Sequence, residues 1–81
     1  MDKIANNLYR IYFENKDKDF KLYISSVIMG GNPFIRTIPA VSKEDAGIFE
    51  KDKAEKYVEL INNDENIKYK ARLEEVKVYV N

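Results

Sequence analysis

The sequence predicts a small α+β domain spanning residues 1–81: an antiparallel sheet of about four strands in the order β-β-β-α-β, with one main helix packed on one face. Three observations carry this. Apolar residues alternate with period two in two runs of the N-terminal half, recur once at helical spacing after Asp52, and close the chain as a β-branched run. With 81 residues, such a chain has one core and buries only about 60–65% of the surface exposed by its unfolded form, which leaves little room for a deep cavity.

The first strand is Leu8 to Glu14, LYRIYFE. Tyr9, Ile11 and Phe13 fall on one side, and Leu8, Arg10, Tyr12 and Glu14 on the other. The polar link Asn15–Asp19 reads as a hairpin loop leading into a second strand, Phe20 to Met29. In that strand Phe20, Leu22, Ile24 and Ile28 share the expected core face, with Ser26 between them. Tyr23, Val27 and Met29 take the other face, so the second half is apolar on both sides. Gly30-Gly31-Asn32-Pro33 ends the strand, since glycine admits positive φ and proline lacks a donor. A short third strand, Phe34 to Ile38, stops at Pro39.

The pattern changes at Ser42, which is placed to cap a short turn with Asp45 at its third position. Ala46 and Phe49 are the apolar residues of that turn, interrupted by Gly47. Asp52 and Glu55 then have the spacing of a capping box. Ala54, Tyr57, Val58 and Ile61 form one helical stripe, with Lys53, Glu55, Lys56 and Glu59 on the wet side. Asn62-Asn63-Asp64 stops the helix. In the last run Ile67, Tyr69, Ala71 and Leu73 alternate in odd phase and Val76, Val78 and Val80 in even phase. A β-bulge at Glu74-Glu75 would reconcile the two, and a helical turn over 69–76 is the rival. The β-forming run VKVYV favours strand. The helix is expected to cover Tyr9, Ile11, Phe13, Ile24, Ile28 and the C-terminal valines, leaving the opposite sheet face open.

Composition argues against most enzymes. The chain has no Cys and no His, so thiolate chemistry, the usual zinc ligands and the ordinary neutral-pH acid–base group are missing. No cofactor and no metal site is expected. Ser25, Ser26 and Ser42 lack a base to activate them. Glu74 and Glu75, being adjacent on a strand, point to opposite faces and do not converge. The glycines of MGGNPF lack the lysine, the hydroxyl and the helix start of a phosphate loop. Paired with the absence of Cys, an N-terminus without a basic-then-apolar leader, and no apolar run of spanning length, this reads as a soluble, intracellular protein.

Fourteen basic residues balance fourteen acidic ones, so the charge names no partner. Within this charged chain, Leu22 to Pro39 carries one charge, Arg36. Aromatic residues, Met and Arg are enriched at interface centres, which makes Tyr23, Met29, Asn32, Phe34, Ile35 and Arg36 the candidate partner-binding set. A homodimer through the open face or a sheet edge is the least demanding partner, and a structural homodimer in a larger assembly is one alternative function. The other alternative is single-stranded nucleic acid gripped by Arg10, Tyr12, Lys21 and Tyr23, an aromatic-and-basic face. Against it stand the balanced charge and the lack of an RNP-type motif.

From Ser42 onward the spacing Ser42-x-x-Asp45-Ala46-x-x-Phe49-x-x-Asp52-x-Ala54-x-x-Tyr57 resembles that of small phage and prophage proteins of low-GC Gram-positive bacteria. In these a hairpin is followed by a capped, Ala-containing helix and a last strand. The resemblance covers roughly the second half of the chain and the element order of the first, and it transfers no catalytic residue. It implies a cytoplasmic protein of a bacterial host that binds a host or phage protein. Some proteins of that kind are anti-CRISPR or other anti-defence inhibitors.

Overall fold

The structure is a computed structural model; it describes residues 3–5, 8–15, 20–31, 34–76 and 78–80, with side chains described for 8–14, 21–31 and 34–76. The elements are β1 (Lys3–Ala5), β2 (Leu8–Asn15), β3 (Phe20–Met29), β4 (Ile35–Pro39), a 3-10 turn (Lys43–Asp45), β5 (Phe49–Glu50), α1 (Lys51–Asn63), β6 (Lys70–Glu75) and β7 (Val78–Val80). Every pairing is antiparallel. The α+β class holds, with a five-stranded open sheet and one helix.

β2 is the centre of the sheet. β6 pairs with it from Glu14↔Lys70 to Tyr9↔Glu75, while β3 takes its other edge at Tyr12↔Tyr23 and Phe13↔Leu22. Cross-strand partners share a face. Ile11 with Leu73 and Phe13 with Ala71 therefore point to the helix, and Arg10 with Glu74 and Tyr12 with Arg72 point away from it. The core lies on the helix side, where Ile11, Phe13, Ile24, Ile35, Ile61 and Ala71 are buried together. Each large aliphatic side chain buried in this way contributes about 1.5–3 kcal/mol. The shortest dimension of the molecule, 19 Å, has room for one sheet and one helix layer, so the far side of the sheet is solvent-facing.

β3 leaves β2 after Tyr23 and pairs with β4 instead. The segment around Gly47 and β5 fills the gap: the Gly47 N–H donates to Ile24 O at 3.0 Å, and β5 pairs at Leu8↔Glu50 and Tyr9↔Phe49. The approach is close enough that a Cβ at Gly47 would collide with the Ser25 carbonyl oxygen and the Phe49 ring.

The bulge is in β3, not at Glu74-Glu75. Its register with β4 shifts between Ile24↔Pro39 and Ser26↔Ile38, so Ser25 is the extra residue. The Ser25 hydroxyl donates to Ile38 O at 3.1 Å, replacing part of the interrupted ladder. Beyond the bulge the facing inverts. Val27 packs on the core, and Ile28, expected inside, is 40% exposed.

β6 is strand, as the β-forming residues favoured, and its pairing with β2 is unbroken through Glu74 and Glu75. The phase slip lies just beyond. It falls where β6 ends at Glu75 and β7 begins its own pairing with β1 at Ala5↔Val78. β1, β5 and the separate pairing of β7 with β1 were not expected from the sequence; strands of two or three residues carry too little periodicity to be read.

The helix buries the expected stripe. Ala54 and Ile61 are fully inside, and Phe49 meets Tyr57 edge-on at 5.6 Å between ring centroids. The helix starts at Lys51 with Glu50 at the N-cap, not at Asp52. β5 holds Phe49 and Glu50 extended against β2, so the chain passes from strand into helix without a separate capping turn. Asp52 instead sits in the first turn, where its charge favours the free amides. Asp64 closes the helix as expected, its N–H donating to Ile61 O at 3.2 Å.

Candidate functional site

The four residues considered for nucleic acid do meet on the solvent-facing side of the sheet. The Tyr12 and Tyr23 rings lie 5.9 Å apart, tilted by 56°, and Lys21 Nζ sits 4.7 Å over the Tyr12 ring. The polar ends of Arg10, Lys21 and Tyr23, however, converge on Glu74. Glu74 accepts from Lys21 Nζ at 3.0 Å and from the Tyr23 hydroxyl at 3.0 and 3.1 Å. Lys43 Nζ and Arg10 Nη1 stand at 3.5 and 3.9 Å from the same carboxylate. β6 places Glu74 opposite Arg10, and β3 brings Lys21 and Tyr23 from the other edge of β2.

The electrostatics follow from that geometry. Burial alone would raise the Glu74 carboxyl pKa. The hydrogen bonds from Lys21 and Tyr23 and the charges of Lys21 and Lys43 outweigh it and hold the group below its ordinary value. Tyr23 is pushed up, first by burial and then by its bond to the carboxylate. Lys21 is raised by its hydrogen bond to Glu74. Arg10 Nε is buried without an acceptor among the described residues. The cluster thus ties the cations and one tyrosine to an internal anion and covers one face of Tyr12 with Lys21. A base-stacking platform needs those rings open.

The six residues chosen for partner binding divide between two faces. Ile35 is only 4% exposed and belongs to the core, which removes it from any surface. Met29 is paired with Ile35 and shares its side of the sheet. Arg36 is paired with Ile28 on the solvent side, Phe34 is 58% exposed, and Tyr23 is engaged by Glu74. Asn32 lies outside the described residues. What the sheet brings together on its open face at this end is Ile28, Arg36 and Ile38, with Phe34 beside them; Ile28 and Ile38 are each 40% exposed. Val41, almost fully exposed, follows β4. Arg36 makes no ion pair among the described residues.

The two sheet edges differ. The Gly30 N–H donates to Phe34 O at 2.8 Å, with Gly30 at φ +91°. Antiparallel ladders alternate, so Phe34, Arg36 and Ile38 turn their backbone groups to β3, and Ile35, Thr37 and Pro39 turn theirs outward. No described strand lies on that side. On β6 the Val76 N–H donates to Leu8 O at 2.8 Å, which by the same alternation turns Ala71 outward. Here the Asn62 side chain caps the edge at Ala71, its Oδ1 accepting from Ala71 N at 2.8 Å and its Nδ2 donating to Ala71 O at 3.1 Å; Leu73 and Glu75 turn outward in the same way.

A shallow groove of about 370 Å³ opens over Asn62, Ile67, Lys68, Tyr69 and Lys70; its lining holds no carboxylate. Among the described residues no cluster of carboxylates could hold a metal ion, and no helix is long and apolar enough to cross a membrane. Comparison with protein-family models, with curated proteins and with solved structures finds no match.

Proposed function

We propose that this chain is a non-enzymatic protein-binding module whose working surface is the open side of β3 and β4. The observation that carries the reading is the exposed apolar group Ile28, Phe34 and Ile38 around Arg36, in a chain without His or Cys. Apolar surface gathered around an arginine is the composition of an interface centre. In the form implied by the phage-type resemblance, the bound protein belongs to a host defence system, such as a CRISPR nuclease complex, and binding inhibits it stoichiometrically. Affinity capture by the wild-type chain and by the double variant Phe34→Ala with Arg36→Glu tests the site. The double variant should lose at least ten-fold in capture of any protein the wild type retains, while unfolding with the same cooperativity. Undiminished capture overturns the assignment.

Single-stranded nucleic acid is the second reading, supported by the shared face of Arg10, Tyr12, Lys21 and Tyr23. Titration with a labelled oligonucleotide across salt separates the two, because phosphate contacts give a steep salt dependence. No binding at low salt removes this reading.

A further inference from the structure

We infer that β4 receives its partner as an added β-strand, and that the partner segment has the pattern apolar-x-acidic-x-apolar. This rests on the protein-binding reading and specifies the partner's chemistry. An outward-facing row of unpaired backbone groups is a template for one more strand. In β4 that row is the N–H and C=O of Ile35 and of Thr37 and the C=O of Pro39, which has no N–H to give. On the other edge the Asn62 amide occupies Ala71 and leaves Leu73 and Glu75 turned outward. Arg72 there is paired with Glu14, however, whereas β4 is the edge whose arginine lacks a carboxylate among the described residues. Pro39 ends the β4 row, which limits the incoming segment to a few residues.

The side chains decide the chemistry. On the open face an added strand runs beside Phe34, Arg36 and Ile38. Arg36 is the single charge between Leu22 and Ser42 and lacks a carboxylate among the described residues. A carboxylate beside Arg36, with apolar residues two positions away on either side, completes the pairings the face leaves open.

The same charge disfavours a second copy as occupant. The two-fold antiparallel register that satisfies all the outward groups of Ile35 and Thr37 pairs Ile35 with Thr37 of the other copy. That register sets Arg36 opposite Arg36, a like-charge contact.

The test uses fluorescent peptides of sequence Val-Thr-Glu-Thr-Val, flanked by Gly-Ser, and the same peptide with Lys in place of Glu. Anisotropy reads affinity, and amide exchange by NMR reads location. The Glu peptide should bind at least ten-fold more tightly than the Lys peptide and protect the Ile35 and Thr37 amides. Arg36→Glu should reverse the preference. Thr37→Pro removes an outward donor while leaving the bonds to β3 intact, and it should abolish binding. Equal affinity for the two peptides, or unprotected β4 amides at saturation, overturns the proposal. So does a concentration-dependent dimer that Thr37→Pro abolishes, which would make a second copy the occupant. If Phe34→Ala with Arg36→Glu ends protein capture but Thr37→Pro does not, strand addition fails while the protein-binding reading stands.

Discussion

Glu74 shows what one residue does when the fold surrounds it with cations. Its carboxylate accepts from Lys21 and Tyr23 and faces Lys43 and Arg10. Because its folded pKa is depressed, its stabilising contribution is full above the ordinary glutamate value of about 4.3 and is lost as pH falls through the lower folded value. Tyr23 and Lys21 are raised, so their contributions hold below their ordinary values and are lost as pH rises through the raised ones. Glu74→Gln should therefore cost about 1 kcal/mol at pH 7, mostly the charge assistance of the part-buried tyrosine bond, since the amide oxygen still accepts from Tyr23 and half-exposed lysines contribute little. Urea unfolding measured from pH 3 to pH 11 checks this; the variant should show a flatter decline at both ends. An unchanged pH profile would mean that the cluster is energetically idle.

At the scale of elements, the lesson lies in which edges are closed and which strands were legible. Asn62 acts as one link of backbone for β6, and Asn62→Ala should cost about 1–2 kcal/mol by leaving Ala71 without both its partners. It should also raise light scattering at high concentration, because it lengthens the row of open backbone groups on β6. A variant as monomeric and as stable as the wild type would show that solvent replaces the amide without loss. The strands β2 and β3 and the helix stripe were readable because each has enough residues to show a period. The Ser25 bulge was not. The adjacent serines sit in the apolar second half of β3, and a serine pair alone does not signal a bulge; the bulge expected at Glu74-Glu75 answers a separate change of phase in the C-terminal run. Unbroken alternation through Ser25 is what exchanges Ile28 and Val27 between core and surface. The site was legible in the same proportion: Phe34 and Arg36 are exposed as the charge-poor run implied, Ile35 is not, and the Glu74 cluster depends on contacts between residues more than fifty positions apart that no local pattern encodes.

For the whole molecule, among the described residues one helix covers one side of the five-stranded sheet, so apolar burial lies on one face while the Glu74 cluster and the exposed apolar group lie on the other. Ile61→Ala, deep under the helix, should cost about 2–5 kcal/mol. Ile28→Ser with Ile38→Ser on the open face should change unfolding free energy by no more than about 0.5 kcal/mol per site. Paired denaturation curves measure both, and a large loss from the surface pair would mean that the open face is part of the core. The Ser25 bulge gives this division its form within a single hairpin. Past it, Val27 and Ile35 answer to the core, while Ser26, Ile28, Arg36 and Ile38 alternate with them and answer to the solvent side. Inheritance can then act on the two sets separately. Substitutions at the outward positions change the chemistry of the open face while every inward neighbour stays fixed.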